Sequence, residues 1–132
     1  MPASATAVKE QWTDTMEVFA PLRPAEVRSL AGPALEILVP AGQRLTREGR
    51  VIGTFFVIRS GTADLCQDER VLATLEIGDC FGEIDPMMAH AQRFSVVATS
   101  PLRLVTFSAF GIARLCSAIP GVRERILLCL PR

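Results

Sequence analysis

Gly49-Arg50-Val51-Ile52-Gly53-Thr54-Phe55-Phe56-Val57-Ile58-Arg59-Ser60-Gly61 is the stretch that decides the fold. Its centre, Thr54 to Arg59, is a short apolar run of β-branched and aromatic residues bounded by turn signals, which is the composition of a strand. Glu48-Gly49-Arg50 reads as the turn before it, and Ser60-Gly61 turns the chain into a further strand, Thr62–Cys66. Gly42, Gly49 and Gly61 punctuate this region as strand corners where the backbone takes positive φ. Taken alone, that pattern is structural.

Working outward, the two-residue period continues on both sides. Upstream, Leu35, Ile37 and Val39 alternate as in a half-buried strand, Ala41-Gly42 turns, and Arg44-Leu45-Thr46 is a short strand. Downstream, Gln67–Arg70 is a polar hairpin loop, Val71–Leu75 a strand, Ile77-Gly78-Asp79 a turn, and Cys80-Phe81 a strand. Arg93–Ala98 and Leu102–Phe107 close the series around a Thr99-Ser100-Pro101 turn.

The ends of the chain read as helix. Thr13–Phe19 and Pro24–Leu30 form a pair; Pro24 sits in a first turn, where its missing N–H costs nothing, and Gly32-Pro33 stops the second helix. Ser108 is a plausible N-cap for Ala109–Ser117. Pro120–Leu130 follows, with Val122, Ile126 and Leu130 on one stripe. The expected fold is therefore mainly β with flanking helices: an eight-stranded antiparallel double-sheet β-roll, jelly-roll-like, with N-terminal helices and a short C-terminal helix pair. Residues 1–12 are expected to be a flexible N-terminus, fraying over Met1 to about Lys9, and 13–132 a single domain.

Composition narrows the function. The 132 residues carry 14 basic and 14 acidic side chains, so no long-range field draws the chain to nucleic acid or anionic lipid. The N-terminus lacks an apolar h-region and no stretch approaches the roughly 20 apolar residues of a membrane span, so a cytoplasmic protein is expected. One histidine, His90, and no nucleophile–base motif argue against an enzyme. The four cysteines, Cys66, Cys80, Cys116 and Cys129, have no metal-ligand spacing and are expected to be buried or half-buried free thiols in a reducing compartment. Redox sensing through Cys80 is the alternative.

The chemistry concentrates in Phe81-Gly82-Glu83-Ile84-Asp85-Pro86-Met87-Met88-Ala89-His90-Ala91-Gln92-Arg93. A strand enters a glycine and a carboxylate, a short helix follows near Asp85 or Pro86, and an arginine opens the next strand. Gly82 permits close backbone approach of a ligand, and the helix start presents N–H groups and its positive dipole end. Glu83 suits a sugar hydroxyl, and Arg93 a phosphate gripped by a planar fork. The competing reading is a Glu83–Arg93 ion pair that only staples a loop.

The sequence around Gly42, the Gly49-to-Gly61 stretch with its Phe-Phe-Val-Ile core, Phe81-Gly82-Glu83-Ile84 and the Arg93…Val97 segment together resemble the cyclic-nucleotide-binding domain family, which includes catabolite-activator-type regulators and protein kinase A regulatory subunits. The resemblance runs from roughly Val18 to Leu130. It implies a β-roll in which Glu83 holds the ribose 2′-hydroxyl, Arg93 the cyclic phosphate and Gly82 the ribose. Backbone N–H groups at Asp85 and Phe94 would complete the cradle, with Ile84 and Ser95 in the expected contact set and Leu127, Leu128 or Leu130 as an apolar lid. Three positions depart from the family pattern: Asp85 replaces a small residue, Pro86 an aliphatic one, and Phe94 a small one. Asp85 before Pro86 is a good N-cap pair, and its carboxylate at ~4 Å from a phosphate costs on the order of 4 kcal/mol at an effective dielectric near 20. Phe94 is either core or a plug in the pocket.

Two functions follow. The first is a stand-alone cyclic-nucleotide sensor, with cAMP or cGMP as ligand, no cofactor and no metal, acting on a separate protein effector. The second is a fold that binds no nucleotide, with Asp85 as a built-in anion mimic, serving as an interaction or homodimerisation module. Neither reading involves nucleic acid or membrane.

Overall fold

In a computed structural model of the protein, residues 4–7, 17–19, 22–49, 53–83 and 92–131 are described. Among the described residues nine strands form two antiparallel sheets. They are β1 (Ser4–Ala7), β2 (Leu35–Val39), β3 (Arg44–Thr46), β4 (Thr54–Ser60), β5 (Ala63–Gln67), β6 (Arg70–Leu75), β7 (Cys80–Gly82), β8 (Ser95–Ala98) and β9 (Leu102–Ser108). One sheet has the order β1-β2-β9-β4-β7 and the other β3-β8-β5-β6. The eight expected strands are all present. The ninth, β1, lies in the segment read as frayed; it pairs antiparallel with β2, from Ser4↔Leu38 to Ala7↔Leu35, and extends that edge of the sheet.

Strand β4 is central because it is apolar on both sides. Phe55 and Val57 join a core beneath the helices, whereas Phe56 and Ile58 face a second core between the sheets. Alternation sends successive side chains to opposite faces, so an unbroken Phe-Phe-Val-Ile run is stable only in a strand covered on both. Each fully buried phenylalanine contributes about 1.5–3 kcal/mol. Phe19, at the end of a 3-10 turn spanning Glu17–Phe19, packs edge-on to Phe107 at 5.3 Å between ring centroids and anchors that turn to the sheet.

Helix α1 (Pro24–Ala31) begins at Pro24 as expected, and the Glu26 carboxylate accepts from the Arg23 N–H at 3.2 Å. Helix α2 (Ala109–Ala118) begins at Ser108, whose Oγ accepts from the Gly111 N–H at 3.0 Å. The two helices cross at their backbones: a Cβ at Gly111 would fall 1.8 Å from the Ala31 carbonyl oxygen. Helix α3 (Val122–Cys129) buries Val122 and Ile126 in the helix-side core. The helix expected over Thr13–Phe19 appears only as the 3-10 turn; its earlier residues lie outside the described ones.

Among the described residues no helix is long and apolar enough to cross a membrane. The expectation of four free thiols is corrected at two positions. β7 and α3 meet, and Cys80 and Cys129 are joined as a disulfide with their Cα atoms 5.9 Å apart, inside the usual bridging range.

Candidate functional site

The site is built where β7 leaves the sheet and β8 enters it. β7 pairs with β4 in the register Phe55↔Gly82, Phe56↔Phe81, Val57↔Cys80. The Glu83 N–H continues this ladder by donating to the Thr54 carbonyl at 2.9 Å. Gly82 has φ +105°, and a Cβ there would lie 2.3 Å from the Thr54 oxygen. Gly82 therefore lacks a side chain because β4 passes so close, a reason in the sheet itself that precedes any ligand.

Glu83 follows at the mouth of the roll. It is 8% exposed, and its Oε1 carries less than 1 Å² of accessible surface. A buried carboxylate is costly unless it is used, so Glu83 stands apart from the solvated acidic residues of the surface. Ile84, Asp85, Pro86 and His90, with the expected short helix and its N-cap pair, lie outside the described residues.

On the far side the chain is clamped residue by residue. The Gly49 N–H donates to the Gln92 carbonyl at 2.9 Å. Gln67 Nε2 donates to the Arg93 carbonyl at 3.1 Å, and Thr46 Oγ1 to the Phe94 carbonyl at 3.2 Å. The Glu48 N–H donates to Ser95 Oγ at 3.1 Å, and Glu48 Oε1 in turn accepts from the Asp68 N–H at 3.0 Å. Three successive carbonyls and a buried hydroxyl are thus engaged by the β3 turn and the end of β5. Thr46, Glu48 and Gln67 were not among the residues singled out in the sequence. Each lies more than 25 positions from its partner in the 92–95 segment, so no local signal marked them; Thr46 is 3% exposed.

The clamp leaves the Arg93 side chain exposed, with its guanidinium carbon 5.6 Å from the centre of the Phe94 ring. Among the described residues no ion pair joins Glu83 to Arg93; Arg59, at 2.8 Å, and Arg103, at 3.6 Å, both pair with Glu36 within the five-stranded sheet. The stapled-loop reading therefore loses its bond. Phe94 is 8% exposed and packs in the inter-sheet core with Phe56, Phe81 and Val96, where Phe56 and Phe81 stack at 4.8 Å. It is core, as a strand phenylalanine usually is.

A buried acceptor and an exposed planar cation thus flank an aromatic-lined roll interior. Such a combination suits one small compound with a hydroxyl-bearing and an anionic end. Among the described residues no group of three or more His, Cys, Asp or Glu side chains could hold a metal ion. The expected lid leucines divide: Leu130 packs against the helix-side core, while Leu127 and Leu128 are exposed at 39% and 77%.

The family model described as cyclic nucleotide-binding domain matches residues 36–118. A cAMP-dependent protein kinase regulatory subunit from Aspergillus niger is 25% identical over 118 residues, covering 88% of this chain and 29% of its own length. The chain thus spans under a third of that curated relative. Among solved structures, the C-linker/CNBHD of zELK channels, crystallized in the presence of cAMP, superposes with a TM-score of 0.75 at 20% identity, over 95% of this chain and 66% of its own. A cAMP-bound PfPKA-R gives 0.72 at 22%, over 88% and 41%. At those identities the two structures speak for the fold.

Proposed function

The chain belongs to the cyclic nucleotide-binding domain family, and on that premise we propose that it is a regulatory sensor that binds a cyclic nucleotide of the cAMP type and passes its occupancy to a separate protein effector. The observation that carries this reading is the placement of Glu83 and Arg93. One is buried where β7 ends, and the other projects from a backbone clamped at the start of β8. The carboxylate accepts a ribose hydroxyl, and the guanidinium pairs with the cyclic phosphate through parallel N–H donors. Burial of Glu83 keeps water from its contact and strengthens it, while the exposed Arg93 meets the phosphate at the rim. The regulatory-subunit relative and the cAMP-bound structure favour cAMP over cGMP. In this reading the ligand's work is to bias contacts elsewhere.

Calorimetric titration with cAMP and with cGMP tests the proposal. Binding is expected, with the melting temperature raised by ligand; at 100 times the dissociation constant the added stability is about 2.7 kcal/mol. Replacing either Glu83 by Gln or Arg93 by Ala removes a charge-assisted contact of about 1.5–3 kcal/mol and weakens affinity roughly 10- to 100-fold. Absence of heat and of any melting shift at millimolar nucleotide would sink the proposal. If Asp85→Ala then restored binding, the anion-mimic reading would take its place.

A further inference from the structure

Cys80 and Cys129 join two parts of the molecule that lie 49 residues apart in sequence. Cys80 is the first residue of β7, two positions before Gly82 and three before Glu83, and is fully buried in the helix-side core. Cys129 is the last residue of α3 and only half-buried. Its sulfur also lies 3.7 Å from the Gly78 carbonyl oxygen, over the turn that feeds β7. That turn is fastened to β4 through Gly78 N–H to the Ile58 carbonyl and Ile58 N–H to the Asp79 carbonyl, both at 2.9 Å. The rigid side of the pair is therefore β7, and the side free to depart is α3. Around the pair, α3 is held mainly by two fully buried residues, Val122 and Ile126, both at or before its middle. Its last turn carries the exposed Leu127 and Leu128, and beyond Ile126 it is attached to the roll by Cys129 and by Leu130, which follows the helix.

We propose that Cys80 and Cys129 are a redox-controlled tether that fixes the C-terminal helix to the strand entering the ligand site, closed and opened by exchange with a low-molecular-weight disulfide and its thiol. Cys129, the accessible sulfur, attacks one sulfur of the external disulfide as a thiolate, expels one thiolate and forms a mixed disulfide. Cys80 then attacks the Cys129 sulfur and expels the second thiolate. The two protons given up by the cysteines end on the two released thiols, and the external disulfide is reduced as the protein dithiol is oxidised. An excess of small thiol runs the same steps backwards. Cys66, half-buried on the opposite sheet, has no such partner in disulfide contact.

The test uses the full chain, reduced and desalted, then exposed to glutathione disulfide. Intact mass is expected to fall by about 2 Da, one hydrogen per cysteine joined, and peptide mapping to link the segment holding Cys80 to that holding Cys129. Cys129→Ser and Cys129→Ala, both at a half-buried position, are expected to abolish that link. Hydrogen exchange over residues 122–129 is expected to slow at least several-fold on oxidation in the parent chain and to stay unchanged in both variants. A link between other cysteines, only mixed disulfides, or a link that leaves exchange of α3 unchanged would overturn the tether. Its consequence for the ligand rests on the nucleotide-binding reading. A cAMP affinity that differs between oxidised and reduced chain, and not in the Cys129 variants, supports coupling to the site, and equal affinities refute it. No binding in either state counts against the nucleotide reading, and the tether is then decided by mass and exchange.

Discussion

Gly82→Ala separates two reasons for a glycine at the mouth of the roll. If it serves the sheet, the substitution harms the protein without ligand. The cost has two parts. A non-glycine residue at φ +105° carries about 1–2 kcal/mol of backbone strain. The added Cβ, 2.3 Å from the Thr54 oxygen, forces β7 away from β4 and stretches the Glu83 N–H to Thr54 bond, about 1 kcal/mol more. The sum is about 2–3 kcal/mol. At roughly 4 °C per kcal/mol for a chain of this size, the melting temperature falls by about 10 °C. Gly42→Ala is the control: Gly42 has φ +90° but nothing within 4 Å of a Cβ, so it reports strain without the clash. Thermal unfolding of ligand-free protein, followed by far-UV circular dichroism, should place Gly82→Ala well below Gly42→Ala. Equal melting temperatures for the two variants, with cAMP affinity lost only in Gly82→Ala, would refute the reasoning and return the residue to the ligand.

Ser108→Ala removes the cap that accepts from Gly111 and should cost about 1 kcal/mol, read as a shift in the urea midpoint at constant slope. Phe94→Ala empties a buried ring from the inter-sheet core and should cost about 3–5 kcal/mol by the same measurement; a change below 1 kcal/mol would show the ring to be a pocket plug that the core does not need. Arg93→Ala should leave unfolding within about 0.5 kcal/mol of the parent, since the side chain is exposed and its contact with Phe94 is a surface one, while its nucleotide affinity falls.

Much of this was legible in the chain because local chemistry and fold agree. The Thr54–Arg59 run, the turns after Val39 and Arg59, Pro24 and Ser108 each announce an element, and each element stands where its signal lies. The division into a five- and a four-stranded sheet was not legible, since pairings such as β2 with β9 and β3 with β8 join residues far apart in sequence. β1 was missed because Ser-Ala-Thr-Ala alternates hydroxyl residues with alanine only and offers no large or β-branched apolar residue to mark a strand. The Cys80–Cys129 pair was missed because a separation of 49 residues obeys no spacing rule. In the candidate site, the placement of Gly82 and Glu83 at the end of a strand and of Arg93 at the start of the next was readable, but the reason for Gly82 was not, because it depends on how closely β4 passes. The hydrogen bonds that seat Arg93 come from Thr46, Glu48 and Gln67, whose side chains gain a purpose only once the roll is closed.

Those bonds all terminate on main-chain carbonyls or on Ser95, and none of them on the guanidinium. The backbone at 92–95 is a socket assembled by its neighbours, and the residue at 93 is a fitting plugged into it. Fold and recognition are thereby decoupled at this one position. Exchanging Arg93 for lysine, glutamine or glutamate changes which charge the roll presents to an incoming molecule while leaving the frame that presents it intact. A mutational series there would retune ligand preference on a constant scaffold, a property useful to anyone building a sensor for a different small anion or for a cation.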